Sequence, residues 1–252
     1  MNFLRITILK TLLFLKHNLL YLILIFLILV GECFAHELEN KEMAALWSNN
    51  LRILSCLTMG ASYFQMQKHD FACVQKLFLI SILLPIIISL SSYLIPERHA
   101  IVINIGVNIV ILGLWIRIFK LLGASIIFKD QNNTFSKLIP AFFILPLLFY
   151  YFSLYQSLTI IFAILVLIYI LVFSYTGLLA AFLPINEEKV LWIIFGIILL
   201  VLVNMMNGYH TFMQKISNAY PIIRTMTVIS RCMIIYGMIG YVEEKIVVFE
   251  ED

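Results

Sequence analysis

The chain is a succession of long apolar runs separated by short polar stretches. Leu19 to Val30 is the first run, led by Arg5, Lys10, Lys16 and His17 and closed by Gly31-Glu32-Cys33-Phe34-Ala35. It predicts either a transmembrane helix over 19–35 or a secretory signal with a small residue, Ala35, before His36. The basic leader is long for a signal, so the retained helix is the favoured reading. His36 to Asn50, with Glu37, Glu39 and Glu42, predicts a loop.

Seven further runs follow. They predict spans near 51–66, bounded by Arg52 and Gln65; 74–95, bent at Pro85; 100–119; 138–155, kinked by Pro140 and Pro146; 157–183, ended by Pro184; 190–206; and 222–242. Proline is tolerated inside such helices when neighbours satisfy the carbonyls it frees. The fold class expected is all-α, a polytopic transmembrane helix bundle of about eight spans forming one integral membrane domain over residues 1–252.

Composition agrees with the pattern. The 252 residues are 63% hydrophobic and 12% charged, against roughly 45–50% apolar and about 25% charged in soluble domains. A water-soluble protein is excluded, and no separate soluble domain fits. The net charge of +3 is small and scattered, so nucleic acid is not an expected partner. Cys33, Cys56, Cys73 and Cys232 show no metal-ligand spacing and read as small apolar residues. No cofactor or metal is expected.

Orientation follows from Lys and Arg, which are retained on the cytoplasmic side. With the N-terminus inside, inner segments collect Arg5, Lys10, Lys16, Lys68, Lys76, Arg117, Lys120, Lys129, Lys137, Lys189 and Lys245, and outer loops only Lys41, Arg98 and Lys215. Eleven against three predicts both termini in the cytoplasm. The acidic end Glu250-Glu251-Asp252 reads as a solvated tail.

Candidate chemistry lies in polar groups within the spans, which are costly in hydrocarbon. All fourteen Asp and Glu residues are assigned to loops, tails or span edges, which argues against proton pumps and intramembrane acid/base hydrolases. Amide and guanidinium groups remain. Asn104 and Asn108 share a face of the fourth span; Asn204, Asn207 and His210 recur along one stripe of the seventh; Arg224 and Arg231 share a face of the eighth. An antiparallel hairpin of the last two spans would bring Arg231 toward the level of Asn204. These residues form either interhelical hydrogen bonds, worth about 0.6 kcal/mol each, or a pocket for a lipid headgroup or other anion. Hydrogen bonding is the first expectation for the asparagines, and the pocket for Arg231. His17, His36, His69 and His99 read as surface histidines. Asn132-Asn133-Thr134 is a glycosylation sequon in a predicted inner loop, and Tyr150, Tyr151 and Tyr155 read as an interfacial aromatic belt. No GxSxG, GxxxxGK[ST] or HExxH occurs.

One resemblance stands out. Phe195-Gly196 through Val203-Asn204, then Gly208 and Phe212, and then Thr227, Ser230, Arg231 and Gly237, resemble the last two helices of the YhhN family of eight-span, lysoplasmalogenase-like membrane proteins. That family typically shows Gly-x-x-x-Phe-x-x-Ser-Asp, a later Phe, and a Tyr-x-x-Ala-Gln run ending in Gly. The front is similar in layout: Gly31-Glu32 ends a span, Asn40-Lys41 lies in a polar loop, and Arg52 stands where the family tends to have Lys-Pro. The resemblance implies hydrolysis of the vinyl ether bond of lysoplasmalogens. The departures are specific: Val203-Asn204 replaces Ser-Asp, Arg231 replaces Gln, and the Gly-Asp pair of the third span is absent from 74–95. Vinyl ether hydrolysis begins by protonating the alkene carbon, and an amide cannot act as that acid.

The expectation is therefore a divergent YhhN-like multipass protein of a bacterial inner membrane that lacks the family's hydrolase chemistry and binds a lysophospholipid-like membrane lipid. Its expected polar pocket is Asn104, Asn108, Asn204, Asn207, His210 and Arg231. The alternatives are an accessory subunit packed against a membrane-protein partner, a homodimer, or a small transporter.

Overall fold

A computed structural model describes residues 2–67, 72–126, 145–184 and 187–249. The described residues are helical, with no strand among them. The helices are α1 (Asn2–His36), α2 (Lys41–Gln67), α3 (Cys73–Leu83), α4 (Pro85–Leu94), α5 (Glu97–Leu121), α6 (Ile160–Ala181), α7 (Glu187–Phe212) and α8 (Ala219–Phe249). Before α6, residues 145–149 are helical and run into a π-helical turn, Tyr150–Leu154, and a 3-10 turn, Tyr155–Ser157.

Among the described residues, six stretches are long and apolar enough to cross a bilayer: Leu19–His36, Cys73–Leu94, His99–Leu121, Ile160–Ala181, Glu188–Phe212 and Ala219–Ile239. They match six of the eight expected spans. The expected fifth, 138–155, begins at residues outside the described ones, as do the Asn132 sequon and its loop.

The expected second span, 51–66, falls inside α2, a 27-residue helix that is not among the six. The loop expected over 36–50 is mostly the first three turns of this helix. Asn40 caps it, its Oδ1 accepting from the backbone N–H of Glu42 at 3.0 Å and of Met43 at 3.2 Å. Glu42 adds an acid in the first turn, which complements the positive end of the helix dipole. The helix runs antiparallel to α1: Gly31 lies against Leu51, Glu32 pairs with Arg52 and the Tyr21 hydroxyl donates to Gln65.

Polarity in α2 is reversed from that of a soluble helix. Its inward face carries Ser48, Asn49, Ser55, Cys56, Tyr63 and Gln67, whereas Leu46, Trp47, Leu54, Leu57 and Phe64 face outward. Elsewhere the bundle has a mainly apolar core, but Glu32 is wholly buried while Leu94, Ile160 and Ile161 are about 80% exposed (83%, 80% and 77%). Outward apolar and inward polar groups suit hydrocarbon surroundings, in which only the bundle interior offers polar partners.

The bend at Pro85 is a break. Proline has no N–H to continue the ladder; α3 closes with Leu84 N–H on Ile80 O at 2.9 Å and α4 starts afresh. At the end of α5, Gly123 takes φ +91°, and Gly123 and Ala124 donate back to Lys120 O (3.0 Å) and Phe119 O (2.9 Å), the paired bonds of a Schellman stop. The tightest contact is between α7 and α8. A Cβ on Gly196 would stand 2.9 Å from Ser230 O, and one on Gly237 2.9 Å from Lys189 O, so only glycine lets these backbones approach so closely. Ser230 Oγ donates to Gly196 O at 2.7 Å across the same seam.

Candidate functional site

Three helix segments converge on one carboxylate. Glu32 near the end of α1 has no exposed side-chain surface. Arg224 Nε of α8 lies 2.6 and 2.7 Å from its two oxygens, Arg52 Nε of α2 lies 3.0 Å from Oε1, and the Tyr220 hydroxyl donates to Oε1 at 2.7 Å. Arg52 Nη2 also donates to Tyr220 Oη at 2.9 Å, and the Tyr220 ring stacks on His36 with centroids 3.6 Å apart. Buried charges need this kind of saturation, because each lost its water shell. Glu32 lies near the end of the Leu19–His36 stretch, at a span edge as expected, but it is buried in the bundle and fully paired. Glu32 sits on an inward face of α1, and its partner Arg224 is 192 residues away in sequence, so neither position alone marks the pair.

Beside this cluster lies a cavity of about 300 Å³. Arg52, Arg224 and Arg231 line it, with Tyr220, His36, Cys56 and the amides of Asn104, Asn108, Asn204 and Asn207. Pro85 and Ser89, at the break between α3 and α4, close another side. The cavity occupies the half of the bundle where α1 meets α2, α4 meets α5 and α7 meets α8. An adjoining pocket of about 100 Å³ shares the four asparagines and is otherwise mainly apolar, with Phe149, Leu154, Val166, Ile170, Phe173 and Phe212. Polar and apolar chambers thus meet at a rim of amides.

All six residues expected to form a pocket line this cavity, but their bonds differ from expectation. Asn108 Nδ2 donates to Asn104 Oδ1 at 2.7 Å and to Asn104 O at 2.8 Å, so this pair bonds within one helix and does not join two. Asn204 Nδ2 is buried and without a partner. His210 Nδ1 accepts from the Ile216 N–H at 2.9 Å and fastens the turn between α7 and α8. The glycine contacts of α7 and α8 set a register that puts Asn204 level with Arg224, with Arg231 seven residues deeper, about 10 Å of helix rise. Arg231 therefore does not sit level with Asn204, although both face the one cavity.

Arg231 has a thiol for its hydrogen-bond partner, Cys56 Sγ at 3.8 Å from Nη1, and among the described residues no carboxylate pairs with it. Cys56 is thus more than an apolar filler. His36 is exposed, as expected, and it also lines the cavity with its ring stacked on Tyr220. Of the expected aromatic belt, Tyr151 and Tyr155 are exposed, whereas Tyr150 is buried and donates to Ala163 O at 2.9 Å. The described residues contain no cluster of three or more His, Cys, Asp or Glu able to hold a metal ion.

Sequence had singled out Arg231 and the asparagines. It missed Glu32, Arg52 and Tyr220, and the signal available for them was Arg52 itself, an arginine at a span edge with no acid nearby in sequence. Comparison of the chain with family models, with curated proteins and with solved structures finds no match in any of the three.

Proposed function

We propose that the chain is a divergent YhhN-like protein of a bacterial inner membrane that holds a membrane lipid, polar end in the arginine-lined cavity and chain in the apolar pocket, without hydrolysing it. The observation that carries this reading is the pair of joined chambers, one lined by three guanidinium groups and the other by aromatic and aliphatic side chains. Arginine forks are the side chains best matched to phosphate oxygens, and ligand sites of a few hundred Å³ with a few convergent polar groups are the usual size.

The absence of hydrolysis rests on the one acid near the cavity. A general acid presents a proton to its substrate, whereas both oxygens of Glu32 face Arg52, Arg224 and Tyr220. Asn204, at the position that resembles the family's acid, has only an amide. Orientation follows the positive-inside count: both termini lie in the cytoplasm, α2 crosses beside α1, and the cavity opens toward the outer half of the bilayer.

The test is mass spectrometry of lipid extracted from protein purified in a neutral detergent. A lipid retained by the native chain and lost from Arg231→Gln is the expected result. Protein that carries no lipid beyond the detergent background would replace this reading with that of a packing subunit.

A further inference from the structure

Resting on the lipid reading, we infer that the cavity selects a doubly charged head, a terminal phosphate monoester, over the zwitterionic phosphocholine or phosphoethanolamine head. The first ground is charge. Arg52, Arg224 and Arg231 face the cavity, and among the described residues the carboxylate paired with them is Glu32. Three cations against one anion leave two positive charges in a site walled by apolar helices, where unpaired charge is costly. A phosphate monoester carries about −1.5 to −2 at neutral pH and offers three acceptor oxygens. A phosphodiester carries one negative charge, and its ammonium group adds back a positive one.

The second ground is what an ammonium would meet. Cationic heads are held by carboxylates or by open aromatic faces. Glu32 is saturated by its three donors and does not line the cavity. Glu37, the nearest acid along the chain, is exposed at the end of α1. Three rings line the cavity, Tyr220, His36 and His210; the Tyr220 ring already stacks on His36 and lies 5.2 Å under the Arg52 guanidinium, and His210 is tied to the Ile216 N–H. Among the described residues no carboxylate lines the cavity to receive a quaternary ammonium. The third ground is Asn204 Nδ2, a buried donor without a partner on the cavity wall. A phosphate oxygen satisfies it, which places an acceptor-rich anion on this wall.

The test uses the full chain in a neutral maltoside detergent. Binding is measured for a 1-acyl glycerol phosphate, for the lysophosphatidylcholine of the same acyl chain, and for inorganic phosphate. The monoester lipid is expected to bind at least tenfold tighter than the zwitterionic lipid, about 1.4 kcal/mol, and inorganic phosphate to compete only at far higher concentration. Arg231→Gln should abolish the preference and Arg231→Lys keep part of it. The nearly isosteric Asn204→Asp puts a carboxylate on the wall and should weaken the monoester lipid and narrow or reverse the preference. Equal binding of the two lipids overturns the charge selection and leaves the lipid reading standing. Inorganic phosphate binding as tightly as the monoester lipid keeps the charge selection and overturns the lipid reading. Binding of none of the three overturns both.

Discussion

Arg224 grips Glu32 with one nitrogen between both carboxylate oxygens, 2.6 and 2.7 Å away, at a point where the acid has no contact with solvent. This contact ties α8 to α1, and Arg52 ties α2 to the same acid. Removing one partner of a buried ion pair typically costs about 3–5 kcal/mol, since the other charge is left without compensation. Glu32→Ala is therefore expected to lower the thermal midpoint of the detergent-solubilised protein sharply. Arg52→Gln should cost less, because the Arg52 side chain retains 31% of its exposure. Thermal unfolding followed by size-exclusion fluorescence ranks the two variants, and the reverse order would assign the clamp to Arg52.

The seam between α7 and α8 makes a separate forecast. Gly196→Ala places a methyl 2.6 Å from Ile234 Cγ1 and 2.9 Å from the Ser230 carbonyl. A side chain can turn away from such a methyl, but the backbone oxygen cannot. Overpacking of this kind costs about 1–3 kcal/mol. Gly237→Ala meets Ile193 and Lys189 O in the same way. Gly106→Ala and Gly113→Ala meet nothing within 4 Å and should match or exceed native stability, since alanine favours helix by up to about 1 kcal/mol. A thermal series of the four variants separates the pairs.

For catalysis, the expected outcome is no release of aldehyde from a lysoplasmalogen. Asn204→Asp should not restore it, because the new carboxylate faces Arg224 across the cavity and a neighbouring cation favours its ionised form. Aldehyde release that Asn204→Ala abolishes would make the chain an enzyme after all.

Reporter fusions after residue 40 and after residue 252 are expected on opposite sides of the membrane. A same-side result would change the number of crossings after α1 by one and overturn the eight-span arrangement.

The helices that stand out in sequence do so because hydrocarbon imposes length and apolarity on each segment separately, which is why Leu19–His36 and Ile160–Ala181 were legible. α2 was harder. Its apolar residues face outward and its polar residues inward, so a window average sees neither face, and Asn40 as a cap is one residue among several polar ones. At the site, Arg231 and the asparagines were visible as polar groups within apolar runs. Glu32, Arg52 and Tyr220 were not, because what makes them a cluster is a contact between the first helix and the last.

That arrangement bears on how the chain enters a membrane. A charge carried into hydrocarbon is costly, and α2 has its Arg52 without an acid of its own beyond the first turn. Glu32 on the preceding helix supplies the opposite charge at 3.0 Å, across a connection of only a few residues between His36 and Lys41. Joined in this way, the ends of α1 and α2 present a neutral pair to their surroundings where either helix alone would present a charge. Arg224, on the last helix, is the member that turns the neutral Glu32–Arg52 pair into a triad with one net positive charge.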